Sequence, residues 1–374
     1  MKRSYRSVAV VVLAVVSIAK GEPAASQPAR RKLDPELLAI MLEYRKAQDA
    51  WMGEFDKLAD ESGGMHASPP APPSGIHVPR LKEYIGRHAG TQDALDAFHV
   101  ILGFAGQVQF IGCQDQPDRG VDWAVQTLTT DYARLPGVKD LLSYAEDGRV
   151  VNSRESRIRF AKAVIGVNPD REAVAEAKYA LAENLLKEDP RAKPPYVPST
   201  ADHFEGQRLL RELATSYSDT TAGDRAGLEL NELDHLQVGM RAPDFSATSV
   251  DGQEISMAGL RGRVVVLVFW GIGSDRDGSR IPVKPELIEK FRDRPVTFLG
   301  VSYDSAEGTR ATLQKEHATF ANIADGREKR IIRLWNVNRW STIHVIDAQG
   351  VIRKRDVQAE RLEKTVDELL KMVP

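Results

Sequence analysis

Cysteine is almost absent from this chain: Cys113 is the single one in 374 residues. One thiol cannot close an intrachain disulfide, so no disulfide framework holds the fold. The run Phe110-Ile111-Gly112-Cys113 gives it apolar neighbours, which favours a buried, inert thiol over a reactive one. An excess of charge is also missing. Lys and Arg number 51 against 53 Asp and Glu, a net charge of −2, which gives no reason to expect a polyanionic partner. The eight histidines are scattered, with no His-Glu-x-x-His or Cys-x-x-Cys spacing, so no metal and no cofactor are expected. Gly271 and Gly273 lie in Trp-Gly-Ile-Gly-Ser without the Gly-Lys-Ser/Thr of a phosphate loop. Asp202-His203 and Asp234-His235 have no third catalytic partner and read as surface or cap residues. The apolar run Val8–Ala19 is too short to span a bilayer.

That run follows Lys2, Arg3 and Arg6 and precedes small residues, the pattern of a secretory signal. Cleavage fits after Ala19 or Ser26, and no cysteine lies near to carry a lipid anchor. The expectation is export to the periplasm or beyond, with no stable membrane span after cleavage; an uncleaved anchor is the alternative. Nucleic acid is not an expected partner for an exported chain.

Residues 1–26 are assigned to the signal. Asp34-Pro35-Glu36 opens an N-terminal helix, 34–62, with Asp34 as cap and Pro35 in the first turn. Gly63–Gly75 is dense in Gly and Pro and predicts a mobile or polyproline-like connector, 63–76. A helical domain, 77–236, follows, with helices expected near 91–106, 119–134, 136–146, 153–166, 170–187, 201–216 and 222–235. Thr91, Ser153, Asp170 and Thr200 mark starts. The small/large rhythm around 175–186 and 206–217 suggests stacked hairpins of tetratricopeptide type, without a clean repeat. An irregular bundle is the plainer alternative.

At Val238 the pattern changes to strands alternating with helices, which argues an α/β sheet. Strands are expected at Val264–Phe269, Val296–Val301, Thr319–Ile323, Ile343–Ile346 and Val351–Lys354. Helices are expected at Ser279–Arg292, Ala306–Glu316, Arg327–Trp335 and Glu360–Met372. The fold class is thus an all-helical N-terminal region before a C-terminal α/β domain.

The entry Val-Gly-Met-Arg-Ala-Pro-Asp-Phe, residues 238–245, resembles that of redoxin domains. Arg263–Pro282 then resembles the first strand and active-site helix of TlpA-like thioredoxins and the AhpC/TSA family. Phe269-Trp270 match the Phe-Trp of that pattern, and Pro282 matches the proline that kinks its helix. In this frame Ser274 and Asp277 stand at the two cysteine positions, with Asp275 and Arg276 between them and Gly273 at the preceding tryptophan. Trp335, Val337, Thr342, Ile346 and Asp347 fit the pattern around the family's cis-proline loop. Ser341 stands at the cis-proline and Arg339 at a glycine before it.

The resemblance implies a thioredoxin-like α/β fold with a central mixed sheet for 238–374. In the family, one cysteine attacks a disulfide and a second resolves the intermediate. The helix terminus favours the attacking thiolate. Ser274 has no disulfide couple, and a helix terminus cannot ionise an alcohol. A serine in place of cis-proline is expected to adopt trans, because a cis bond elsewhere costs about 2.5–4 kcal/mol. The substrate loop is therefore expected to be reshaped.

Ser274, Asp275 and Asp277 are ordinary caps for a helix start. Read as a calcium loop with Gly278 at the sixth position, the segment lacks carboxylates at the first and twelfth, Gly273 and Lys284. Arg327, Lys329, Arg330 and Arg333 read as a solvated basic face, as does Arg353–Arg355. Three functional readings follow. The first is a redox-inactive module binding protein or peptide in the cell envelope, through the helical region or a face around Gly273–Asp277, Arg339 and Trp340. The second is a thiol-disulfide oxidoreductase or antioxidant protein using Cys113 or a partner's cysteines. The third is another enzyme built on Asp275–Asp277. Trp340 is expected either at this face or buried against Trp335 and Ile343.

Overall fold

The computed structural model describes residues 31–61, 72–109, 120–146, 148, 150–192, 194–271 and 281–372. The expected signal segment 1–26, Cys113 and Gly273–Asp277 lie outside the described residues. The chain divides into two compact units between Gly227 and Leu228.

The helical unit begins with α1, Pro35–Glu61, and Asp34 Oδ1 accepts the backbone N–H groups of Glu36 and Leu37. Leu37, Ile40, Met41 and Tyr44 of α1 enter one core with residues of α2 (Ser74–Arg87) and α3 (Gln92–Gln109), among them Leu81, Tyr84 and Phe98. Helix α2 corrects the expected connector, since its first turn lies within 63–76. Gly75 and Pro79 read as breakers. Burial at Ser74, His77, Val78, Leu81, Tyr84 and Ile85 follows a helical stripe, and packing of that stripe outweighs the lost proline donor.

Next come α4, Val121–Thr127, a π turn at Leu128–Tyr132 and a 3₁₀ helix at Pro136–Ala145. The helix expected near 119–134 forms from Val121 to Tyr132, with its last part widened to π. The hydroxyls of Thr127, Thr129 and Thr130 donate to the carbonyls of Trp123, Val125 and Gln126, competing locally with the α ladder. Helices α5 (Arg154–Val167), α6 (Arg171–Leu186) and α7 (Thr200–Ser216) pack in sequence. Ser153 and Asp170 cap α5 and α6 with their side chains, as their positions predict. Ser199, not Thr200, caps α7, in a capping box with Asp202. Helix α6 buries alanines at 173, 175, 177, 180 and 182, which lets it pack on more than one side.

The units meet in sequence inside α8, Thr221–His235. The second unit opens with a short hairpin, β1 (Ser246–Thr248) and β2 (Glu254–Ser256). Its main elements are β3 (Val264–Trp270), α9 (Pro285–Lys290), β4 (Val296–Ser302), α10 (Ala306–Lys315), β5 (Ala321–Ala324), α11 (Arg330–Leu334), β6 (Thr342–Ile346), β7 (Ile352–Lys354) and α12 (Ala359–Leu370). The sheet order is β5-β4-β3-β6-β7. β3, β4 and β5 are parallel, while β6 and β7 complete the sheet antiparallel. This is the mixed sheet of a thioredoxin-like domain.

Central strand β3 is buried at every position. Val264, Val266, Val268 and Trp270 join one core with Phe291, Leu362 and Val366. Val265, Leu267 and Phe269 join the other with Ile331, Ile332 and Trp335. An uninterrupted apolar run is what a strand covered on both faces requires. Helix α9 is shorter than the expected Ser279–Arg292. Pro285 takes its first position, and Lys284 before it is extended, as a residue preceding proline prefers. Pro282 therefore precedes this helix and does not kink it. Helix α11 likewise begins at Arg330 instead of Arg327, after Lys329 in a left-handed conformation.

Candidate functional site

The parallel strands β3, β4 and β5 end at one edge of the sheet, and β6 begins there, because Phe269 pairs with Thr342. Trp270, the second residue of the Phe-Trp pair, is fully buried, and its indole Nε1 donates to Asn322 Oδ1 at 2.8 Å. Asn322 Nδ2 donates to the carbonyl of Phe320 at 2.8 Å. A Cβ at Gly300 would lie 1.7 Å from Asn322 Oδ1, so glycine makes room for this bond.

Gly271 follows β3. A Cβ there would lie 2.1 Å from Cε1 of Tyr303, so the Tyr303 ring rests directly on the glycine backbone. Tyr303 in turn meets Trp340 edge to face, with 4.6 Å between ring centroids. Burial raises the Tyr303 pKa, with Asp304 adding to the rise. The tyrosine therefore stays a neutral phenol. Sequence reasoning missed Tyr303. The signal for it is its place immediately after β4, at the carboxyl end of a parallel strand, where α/β sheets present their sites.

Trp340 is half-buried, and its T-shaped ring partner is Tyr303. Trp335 instead stacks on His344, at 5.3 Å and 17°. Neither of the two positions expected for Trp340 describes it fully: it packs partly against the core and remains partly exposed. Arg339 is exposed and Ser341 half-buried.

The Trp340–Ser341 peptide bond is cis, which overturns the expected trans bond and the loop reshaping expected with it. Both ends of the loop are held by the fold. Trp340 packs on Tyr303, and Thr342 pairs with Phe269 while its hydroxyl donates to Asp356 Oδ1.

Beneath this loop lies a buried aromatic group of Phe269, Trp335 and His344. His344 is 2% exposed, and among the described residues neither its Nδ1 nor Trp335 Nε1 has a hydrogen-bond partner. Burial lowers the His344 pKa from 6.5 to about 4, against the opposing pull of Asp356. The imidazole is neutral at physiological pH and acts as a core ring.

Glu232 of α8 holds the loop from behind. It accepts from Asn336 Nδ2 at 2.5 Å and pairs with Arg355, while Asn231 Nδ2 donates to the Leu334 carbonyl at 3.2 Å. Among the described residues no three His, Cys, Asp or Glu side chains gather as a cation site. The arrangement offers an exposed cation, a half-exposed indole and a rigid loop. It offers no thiol: the sequence from Leu228 onward contains no cysteine.

Residues 238–355 match the AhpC/TSA family. The same region is similar to the thiol-disulfide oxidoreductase ResA of Bacillus cereus (strain ZK / E33L), 25% identical over 139 residues, which covers 37% of this chain and 80% of the relative. It is also similar to the thioredoxin-like protein YneN of Bacillus subtilis (strain 168), 29% identical over 122 residues, which covers 32% and 70% of the two chains. A solved thiol:disulfide interchange protein of the thioredoxin family from Chlorobium tepidum TLS aligns at 24% identity with a TM-score of 0.31, over 36% of this chain and 94% of that one. The C-terminal domain is thus of the thioredoxin-fold, oxidoreductase-like kind.

Proposed function

We propose that this chain is a redox-inactive thioredoxin-fold protein of the cell envelope that binds protein or peptide. The observation that carries this reading is chemical. The domain that matches AhpC/TSA and resembles thiol-disulfide oxidoreductases holds no cysteine, so its only sulfur atoms are those of Met240, Met257 and Met372. Thiol–disulfide exchange needs an attacking thiolate and a second sulfur to finish the cycle. A thioether provides neither. Ser274 and Asp277, which stand at the family's cysteine positions in the sequence, carry no redox couple.

The binding face in this reading is the loop Arg339–Ser341 with Tyr303 beneath it. An aromatic anchor with a charged rim is a common peptide-contact chemistry. Export rests on the N-terminal Lys2, Arg3 and Arg6 with Val8–Ala19.

The test is photocrosslinking in the native envelope from a photoreactive residue placed at Arg339. Defined protein partners that vanish with Trp340→Ala support the reading. A pattern identical to that from a probe on α12, far along the sequence, would remove the face from consideration.

A further inference from the structure

We propose that the sheet edge between β5 and β6 docks an acidic peptide segment. This rests on the binding-module reading and adds the chemistry of the partner. The overall charge balance of the chain conceals the feature. Between Asp325 and Ser341 the chain carries Arg327, Lys329, Arg330, Arg333 and Arg339 against Asp325 and Glu328. Five cations less two acids gives +3, in a chain whose net charge is −2.

The topology gathers these charges at the same edge as Gly271, Tyr303 and Trp340. The segment leaves the carboxyl end of β5, forms α11 and enters β6 beside β3. β5 and β6 stand three strand spacings apart, so the basic run crosses about 14 Å. All five cations are exposed. Asp325 is engaged by the fold, its Oδ2 accepting the Ile332 N–H at 2.8 Å. Some other basic residues of this unit already meet carboxylates, among them Lys290 with Glu363, Arg294 with Asp367, Arg353 with Asp347 and Arg355 with Glu232. Among the described residues, Arg327, Lys329, Arg330 and Arg339 have no such partner.

The layout also selects the kind of anion. A free phosphate calls for donors converging on one point. Here the cations are strung out, with the half-exposed Trp340 beside Arg339 at the β6 end. An extended peptide rises about 3.4 Å per residue, so about four residues span the run. Carboxylates along such a peptide meet the guanidinium groups, and one apolar side chain meets the indole.

The experiment is fluorescence anisotropy of the full chain with a fluorescein-labelled peptide alternating glutamate and leucine, and with its glutamine-for-glutamate counterpart. The glutamate peptide is expected to bind at least about tenfold more tightly, and more weakly as salt rises. The triple variant Arg327→Glu, Arg330→Glu, Arg339→Glu is expected to lose that preference with an unchanged melting curve, since these side chains are exposed. Equal binding of both peptides, insensitive to the triple variant, overturns the acidic partner while leaving the binding-module reading in place. No binding of either peptide also overturns it, and crosslinking from Arg339 then judges the broader reading separately. Displacement of the peptide by phosphatidylglycerol-containing vesicles, with tighter binding to them, would assign the edge to a lipid surface and overturn it as well.

Discussion

Trp340 meets Tyr303 edge to face, with ring centroids 4.6 Å apart and planes at 79°. Tyr303 lies on Gly271, so the exposed loop before β6 is braced by the backbone at the end of β3. Gly271→Ala is expected to push the Tyr303 ring away and loosen Trp340. Overpacking of this kind costs about 1–3 kcal/mol. Thermal unfolding should report the loss, and the tryptophan emission should shift to the red.

His344 makes the C-terminal unit sensitive to acid. Its folded pKa is depressed, to about 4 from 6.5, mainly by burial. The unfolded chain therefore takes up the proton first as pH falls. Stability should decline from near pH 6.5 and level off below about pH 4. The difference corresponds to about 3 kcal/mol. Denaturant titrations across this range should show the slope, and His344→Phe, which keeps a ring against Trp335, should flatten it.

In the helical unit, the Arg157 guanidinium is 2% exposed. Its Nε donates to Asn184 Oδ1 at 2.7 Å, one terminal nitrogen donates to the Val151 carbonyl at 2.6 Å, and the other pairs with Asp189. Asp189→Ala leaves that buried cation uncompensated and should cost about 3–5 kcal/mol. Calorimetry should place the loss in the transition of the helical unit.

The alignment frame makes its own prediction. Ser274→Cys with Asp277→Cys should form a disulfide, since the frame places both at the family's cysteine positions. Mass spectrometry after mild oxidation checks it. Two free thiols in a folded double variant would show that the frame is shifted.

Much of the second unit was legible in the residues from Val264 to Trp270. Seven consecutive buried positions need a strand with cover on both faces, and the sequence provides an unbroken apolar run there. Ser153 and Asp170 announced their helices because a side-chain acceptor at the cap leaves a local mark. Helix α2 was hidden because Gly75 and Pro79 carry local signals against a helix, while the packing that overrides them is tertiary. The same holds for the site. Arg339 and Ser341 were legible as departures from a family pattern. The seat of Tyr303 on Gly271 and the packing of His344 against Phe269 arise from residues far apart in sequence.

Insulin reduction tests the central claim most directly. With glutathione and glutathione reductase supplying electrons, the purified chain should give no turnover above the protein-free rate, and Cys113→Ser should change nothing. Turnover that persists in the Cys113→Ser variant, free of contaminating thioredoxins, would contradict the account.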